Sequence, residues 1–194
     1  YNDLARPELQ GSVGFVSPEA TTGVLSLIAL AEGNGGGLDN MAPAYDFIKE
    51  FKDNIIATTP ATTAMAQLYE QGEVVAGPFW DGRAYSLRSK GLPIKTVLPK
   101  EGIYALYNYL SPVKGTRHKE AVLAYIDQTL SDELVGALVE FYRYAPCTNI
   151  QLSADIAKDV VAYGETRSMV KPVDWTKVAT MRGSMLEEFN RSLS

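Results

Sequence analysis

Cysteine and histidine each occur once in these 194 residues, as Cys147 and His118. A single cysteine forbids an internal disulfide, and one histidine beside it cannot assemble a zinc site, so metal chemistry is not expected. Cysteine scarcity suits a cytosolic chain and equally a bacterial periplasmic one that needs no bridge. Basic clusters are missing as well. Lysine and arginine total 18 against 23 aspartates and glutamates, and no run of lysine and arginine is longer than two. Neither nucleic acid nor an anionic membrane surface is offered a basic face. No apolar run reaches the roughly 18 residues of a membrane span. Tyr1-Asn2-Asp3-Leu4 is not the start of a signal peptide. The chain is expected to begin after processing or within a longer protein. Internal repeats, heptads and low-complexity tracts are absent, and Gly33 to Gly37 is the one flexible candidate.

What is present is 46% hydrophobic residues, enough for one domain or two small lobes. Strands and helices alternate through residue 100. Gly11 to Val16 reads as a strand, and Thr21 to Ala31 as a helix ended by the Gly33 cluster. Pro43 opens a second helix, with Tyr45, Phe47, Ile48 and Phe51 spaced along one face. Ile55 to Thr58 is the next strand and Pro60 to Gln71 a third helix. Val74 to Trp80 reads as a strand, Gly82 to Ser89 as a helix, and Ile94 to Leu98 as a strand closed by Pro99. This alternation implies an α/β fold with a mostly parallel sheet flanked by helices. Beyond residue 113 the texture is largely helical. His118 to Leu130 carries Ala121, Val122, Tyr125 and Ile126 on one face, and Asp132 to Tyr142 follows as another helix.

The stretch from Gly72 to Tyr85 says most about chemistry. It is a buried-looking run ending in Trp80 and passing straight into a helix start, and ligands of open α/β sheets sit beyond the carboxyl ends of strands. Asp81 either grips an amine or caps the helix that follows. Arg83 either pairs with a ligand carboxylate or is a solvated surface charge. Ser17, Thr21 and Thr22 surround another helix start, where free N–H groups favour an anion or where the hydroxyls simply cap. Thr58-Thr59-Pro60 is a further start of the same kind.

Asp3-Leu4-Ala5-Arg6-Pro7-Glu8-Leu9-Gln10-Gly11, Gly72-Glu73-Val74, Trp80-Asp81-Gly82, Pro99-Lys100-Glu101-Gly102, Lys119-Glu120-Ala121 and Tyr144-Ala145-Pro146-Cys147-Thr148-Asn149 follow one another in order. In that set the chain resembles the spermidine/putrescine-type periplasmic solute-binding proteins of ABC importers, over nearly its whole length. The resemblance implies a periplasmic-binding-protein-like fold of type II, with two α/β lobes, crossover strands and a ligand cleft between the lobes. On that basis the first lobe is largely missing. Residues 1–10 would be a crossover or hinge, 11–104 the second lobe, 105–113 a crossover strand, and 114–194 a helical segment that packs on the first lobe.

The same resemblance makes Trp80 a cleft tryptophan that stacks on the ligand. Tyr107 and Asn108 join the candidate site in the crossover, where Leu106 and Asn108 stand at the family's aromatic and amine-gripping aspartate. Ser17 and Thr21 stand near its acidic first turn. Loss of these carboxylates, with Asp81 and Arg83 flanking Trp80, suits a zwitterion such as γ-aminobutyrate better than spermidine. The implied function is capture of a small amine-containing solute in the periplasm and its delivery to a membrane permease, without cofactor or metal.

Catalysis is not expected, since Cys147 and His118 lie in unrelated stretches and Gly33 to Gly37 follows a helix where a phosphate loop would follow a strand. The alternative is the effector-sensing domain of a transcription regulator of the same fold. Without a first lobe, Val122, Tyr125, Leu138 and Phe141 would lack a partner, and the fragment is expected to self-associate.

Overall fold

The computed structural model describes residues 1–194. The chain divides into two compact units, Tyr1–Tyr104 with Lys171–Ser194, and Ala105–Val170.

The first unit is built on two parallel strands, β1 (Val13–Val16) and β2 (Ile55–Thr59), with Phe15 opposite Thr58 and Val16 opposite Thr59. Every residue of β1 is buried, as a short continuous apolar run predicts for a central parallel strand. The sequence also predicts a strand over Val74 to Trp80, but the structure keeps only one parallel bridge, Val13 to Ala76. Two backbone bonds of 2.9 Å, Gly14 N–H to Ala76 and Val75 N–H to Ser12, hold that edge. Pairing stops there because Pro78, two residues on, has no N–H to donate. Ile94 to Leu98 forms no strand. It lies between Pro93 and Pro99 with Val97 exposed, and the amide of Ile94 turns back to Leu92 at 2.8 Å.

Helix α1 (Thr21–Gly33) is buried from Thr22 through Ala31, which fits its apolar character on every side. Helix α2 (Ala42–Phe51) starts with Pro43 in its first turn and buries Ala44, Phe47, Ile48 and Phe51, one stripe at helical spacing. Helices α3 (Thr62–Gln71) and α4 (Asp81–Ser89) follow. The chain passes out of this unit at β3 (Ile103–Tyr104) and returns at β4 (Val170–Lys171), which pair as a two-stranded ribbon.

The second unit holds α5 (Lys119–Thr129), α6 (Asp132–Tyr142) and the short α7 (Ala154–Ala157). Its buried core is Val135, Val139 and Val160, with Ile150, Leu152, Ile156 and Tyr163 packed around them. The final helix, α8 (Trp175–Leu193), belongs to the first unit. Sequence grouping puts it with residues 114–194. Its Val178, Met185 and Phe189 join the core around β1, and the Phe189 ring lies 5.3 Å from that of Phe15.

Candidate functional site

The carboxyl ends of β1 and β2 and the starts of three helices converge in the first unit. The strand ladder runs on past β1, with the Ser17 amide bonded to the Thr59 carbonyl at 2.8 Å. The chain then turns into α1. Gly23 makes this turn possible, because a Cβ there would fall 2.2 Å from the Ser17 carbonyl oxygen. That close approach seats Thr22 beside the strand end.

The helix starts are short of caps. The residues preceding α1 and α3 are Ala20 and Ala61, and no side chain caps either helix. The first intrahelical bonds are from Val24 to Ala20 and from Met65 to Ala61. The amides of Thr21, Thr22 and Gly23, and those of Thr62, Thr63 and Ala64, therefore have no acceptor inside their helices. The nearby hydroxyls are engaged with one another or with backbone. Thr22 Oγ1 and Thr62 Oγ1 are 3.3 Å apart, Ser26 Oγ donates to the Thr22 carbonyl at 2.8 Å, and Thr59 Oγ1 donates to Ala61 at 3.1 Å. Ser17 Oγ donates to the Glu19 carboxylate and accepts from the Glu19 amide, both at 3.3 Å.

Two hollows open on this face. The first spans about 310 Å³ including its mouth, between Thr22, Leu25 and Ser26 of α1 and Pro78, Phe79 and Trp80, with Tyr1 and Tyr104. Trp80 is half-buried and packs partly on the main core. Its approach is held by Tyr69, whose hydroxyl donates to the Gly77 carbonyl at 3.3 Å and whose ring stands 5.1 Å from Phe79. The second hollow spans about 400 Å³ on the same terms and is lined by Ser17, Glu19 and Thr58-Thr59-Pro60, with Leu186 and Asn190 of α8.

Asp81 opens α4. Burial pushes its carboxyl above the usual range, and bonds from the amides of Gly82 and Asp81 itself offset part of that rise. Arg83, one turn in, is exposed, lines neither hollow and makes no ion pair with Asp81. Of the residues singled out in the sequence, Thr22 and Trp80 thus share one hollow and Ser17 lines the other. Thr21 is half-buried at the start of α1. Tyr107 and Asn108 are exposed in the irregular start of the second unit. Sequence reasoning missed Leu25 and Ser26, which follow Thr22 at the i+3 and i+4 spacing of one helix face. It also missed Asn190, which no local signal marks.

No helix is long and apolar enough to cross a membrane. Residues 1–179 match the family model described as bacterial extracellular solute-binding protein. The spermidine/putrescine-binding periplasmic protein of Escherichia coli (strain K12) is 28% identical over 198 residues, covering 100% of this chain and 56% of that protein. The chain thus spans about half the length of the curated relatives it matches. An ABC transporter crystal structure from Clostridium perfringens is 22% identical with a TM-score of 0.81, over 99% of this chain and 61% of that one. A putative extracellular solute-binding protein from Bordetella parapertussis is 21% identical with a TM-score of 0.72, over 99% and 59%. These solved structures share the α/β periplasmic-binding-protein fold, and the family is one of solute-binding proteins, not of enzymes. None of these relatives is a transcription regulator, so that alternative gains no support. A parallel sheet edge with open helix starts, a tryptophan at its rim and a family match over nearly the whole chain make this a member of the bacterial extracellular solute-binding protein family.

Proposed function

We propose that the chain supplies the second lobe of a periplasmic solute-binding protein of an ABC importer, and that its open helix starts and Trp80 form that lobe's half of the ligand cleft. The solute is a small zwitterionic amino compound of the γ-aminobutyrate kind, passed on to a membrane permease. One observation carries this reading: the uncapped start of α1 shares a hollow with Trp80, and Thr62 of the uncapped α3 stands 3.3 Å from Thr22 beside it. Free amides at a helix start favour a carboxylate, and an aromatic face attracts an ammonium group by roughly 0.5 to 2 kcal/mol. Asp81 gives the amine a carboxylate partner. Arg83 offers the ligand carboxylate a charge from the exposed side of α4. Alone, the chain associates with itself through the apolar side chains of its second unit.

Calorimetric titration of the full-length protein with γ-aminobutyrate, putrescine and spermidine tests the solute. The zwitterion is expected to bind more tightly than either polyamine. Trp80→Ala should weaken it by roughly two- to thirtyfold, and Arg83→Ala, from an exposed position, by less. Tight polyamine binding with no response to γ-aminobutyrate would overturn the reading.

A further inference from the structure

The first unit also carries a charged cluster that its ligand face does not use. Its chain leaves at Tyr104 and re-enters at Lys171, and the cluster gathers both of these ends at the last turn of α1. The Lys171 ammonium pairs with the carboxylate of Glu32, 139 residues away in sequence. It also stands 6.0 Å from the centroid of the Tyr104 ring, within reach of cation–π attraction. Beneath the lysine is Gly102. Its φ is +119°, and a Cβ there would lie 2.9 Å from Lys171 Cε and 3.1 Å from both Cδ and Cγ. The lysine stem is therefore laid across bare backbone, which aims its ammonium at Glu32.

Tyr104 is 8% exposed, and its hydroxyl is buried beside Glu32 without a well-formed hydrogen bond. Burial pushes the Glu32 carboxyl up, but contact with Lys171 and Tyr104 outweighs it and leaves the group below its usual range. The ribbon itself offers little restraint, since β3 and β4 have two residues each and an isolated pair of strands is at best marginally stable in water.

We propose that Lys171, seated on Gly102 and paired with Glu32, is a clamp that pins both chain passages to the end of α1 and sets how readily the ribbon opens. This inference goes beyond the ligand reading and does not depend on it.

Amide hydrogen exchange of the full chain tests it, using Lys171→Met, Glu32→Gln and the double variant. Methionine keeps the stem packed on Gly102 and removes only the charge. Each single variant is expected to speed exchange at residues 103–104 and 170–171 roughly three- to tenfold. The amides of Thr22–Ala31 should stay as protected as before, and the double variant should open no faster than Lys171→Met alone. Unchanged ribbon exchange, equal acceleration in α1, or additive effects of the two substitutions would each overturn the clamp.

Discussion

The two units meet the same physical demand with opposite success. Around β1 and α1, the first unit gathers Phe15, Leu27, Leu30, Ile48, Phe51, Met185 and Phe189 into one continuous core. In the second unit only Val135, Val139, Val160 and Pro146 are buried, and α5 buries no residue at all. Shortage of apolar residues does not explain this. Phe141 and Tyr125 are 73% and 66% exposed, and Tyr109 in the same unit is 82% exposed. An amphipathic helix states a need for a partner. The fold decides whether the chain itself supplies one, and here α8 completes the first unit while α5, with α6 beside it, buries no side chain.

The sharpest way to break this comparison is to remove one large side chain from each unit. Phe189→Ala deletes a fully buried ring packed against Phe15, and should cost the first unit about 3–5 kcal/mol. Phe141→Ala removes an exposed ring from the second unit, and at concentrations low enough to keep the chain monomeric should change stability by no more than about 0.5 kcal/mol. Chemical denaturation of the two variants checks the contrast. Equal losses under those conditions would mean that Phe141 is covered within the monomer and that the two units are built alike.

Contiguous apolar patches above a few hundred Å² seldom stay bare on a soluble protein, so the isolated chain should self-associate through α5 and α6. The double variant Tyr125→Ser with Phe141→Ser should shift sedimentation to the monomer without loss of helical signal. A wild-type chain that already sediments as a compact monomer would remove the association.

Much of the first unit was legible because its elements obey local rules. Pro43 with the Phe47, Ile48 and Phe51 stripe predicts α2, and the strand ending at Val16 followed by Ser17-Pro18 predicts the turn into α1. Two predicted strands fail for a non-local reason. Val74 to Trp80 and Ile94 to Leu98 are apolar enough for a sheet, but a strand needs a neighbouring backbone, and past Ala76 none is paired with it. The candidate site was legible where residues adjacent in sequence share a turn, as with Trp80 and Asp81 or Thr21 and Thr22. Asn190 and Leu186 reach their hollow only because α8 returns to the first unit, a placement set by Phe189 meeting Phe15 and invisible to local spacing. The uncapped starts of α1 and α3 were half visible. Serines and threonines cluster there, yet the residues standing at the capping positions are Ala20 and Ala61.

The smallest expected effect concerns Asp81, and it separates the core of the first unit from its ligand face. Burial raises the Asp81 carboxyl above its ordinary 3.8. Between that value and the higher folded one, the native state still holds a proton that the unfolded chain has released. Stability must therefore fall as pH climbs through this window, the reverse of the usual carboxylate case. Asp81→Asn cannot ionise, yet its side-chain oxygen can still accept from the Gly82 amide. The variant should match the wild type below pH 3.8 and become the more stable protein above the window, by a margin that then stays constant. Denaturation midpoints of wild type and variant across a pH series measure that margin. A wild type that is the more stable at neutral pH would show that the carboxylate is retained for its bonds at the start of α4. The expected order would instead mean that Asp81 costs the first unit stability at neutral pH, as a charge held ready for a ligand amine does when no ligand is bound.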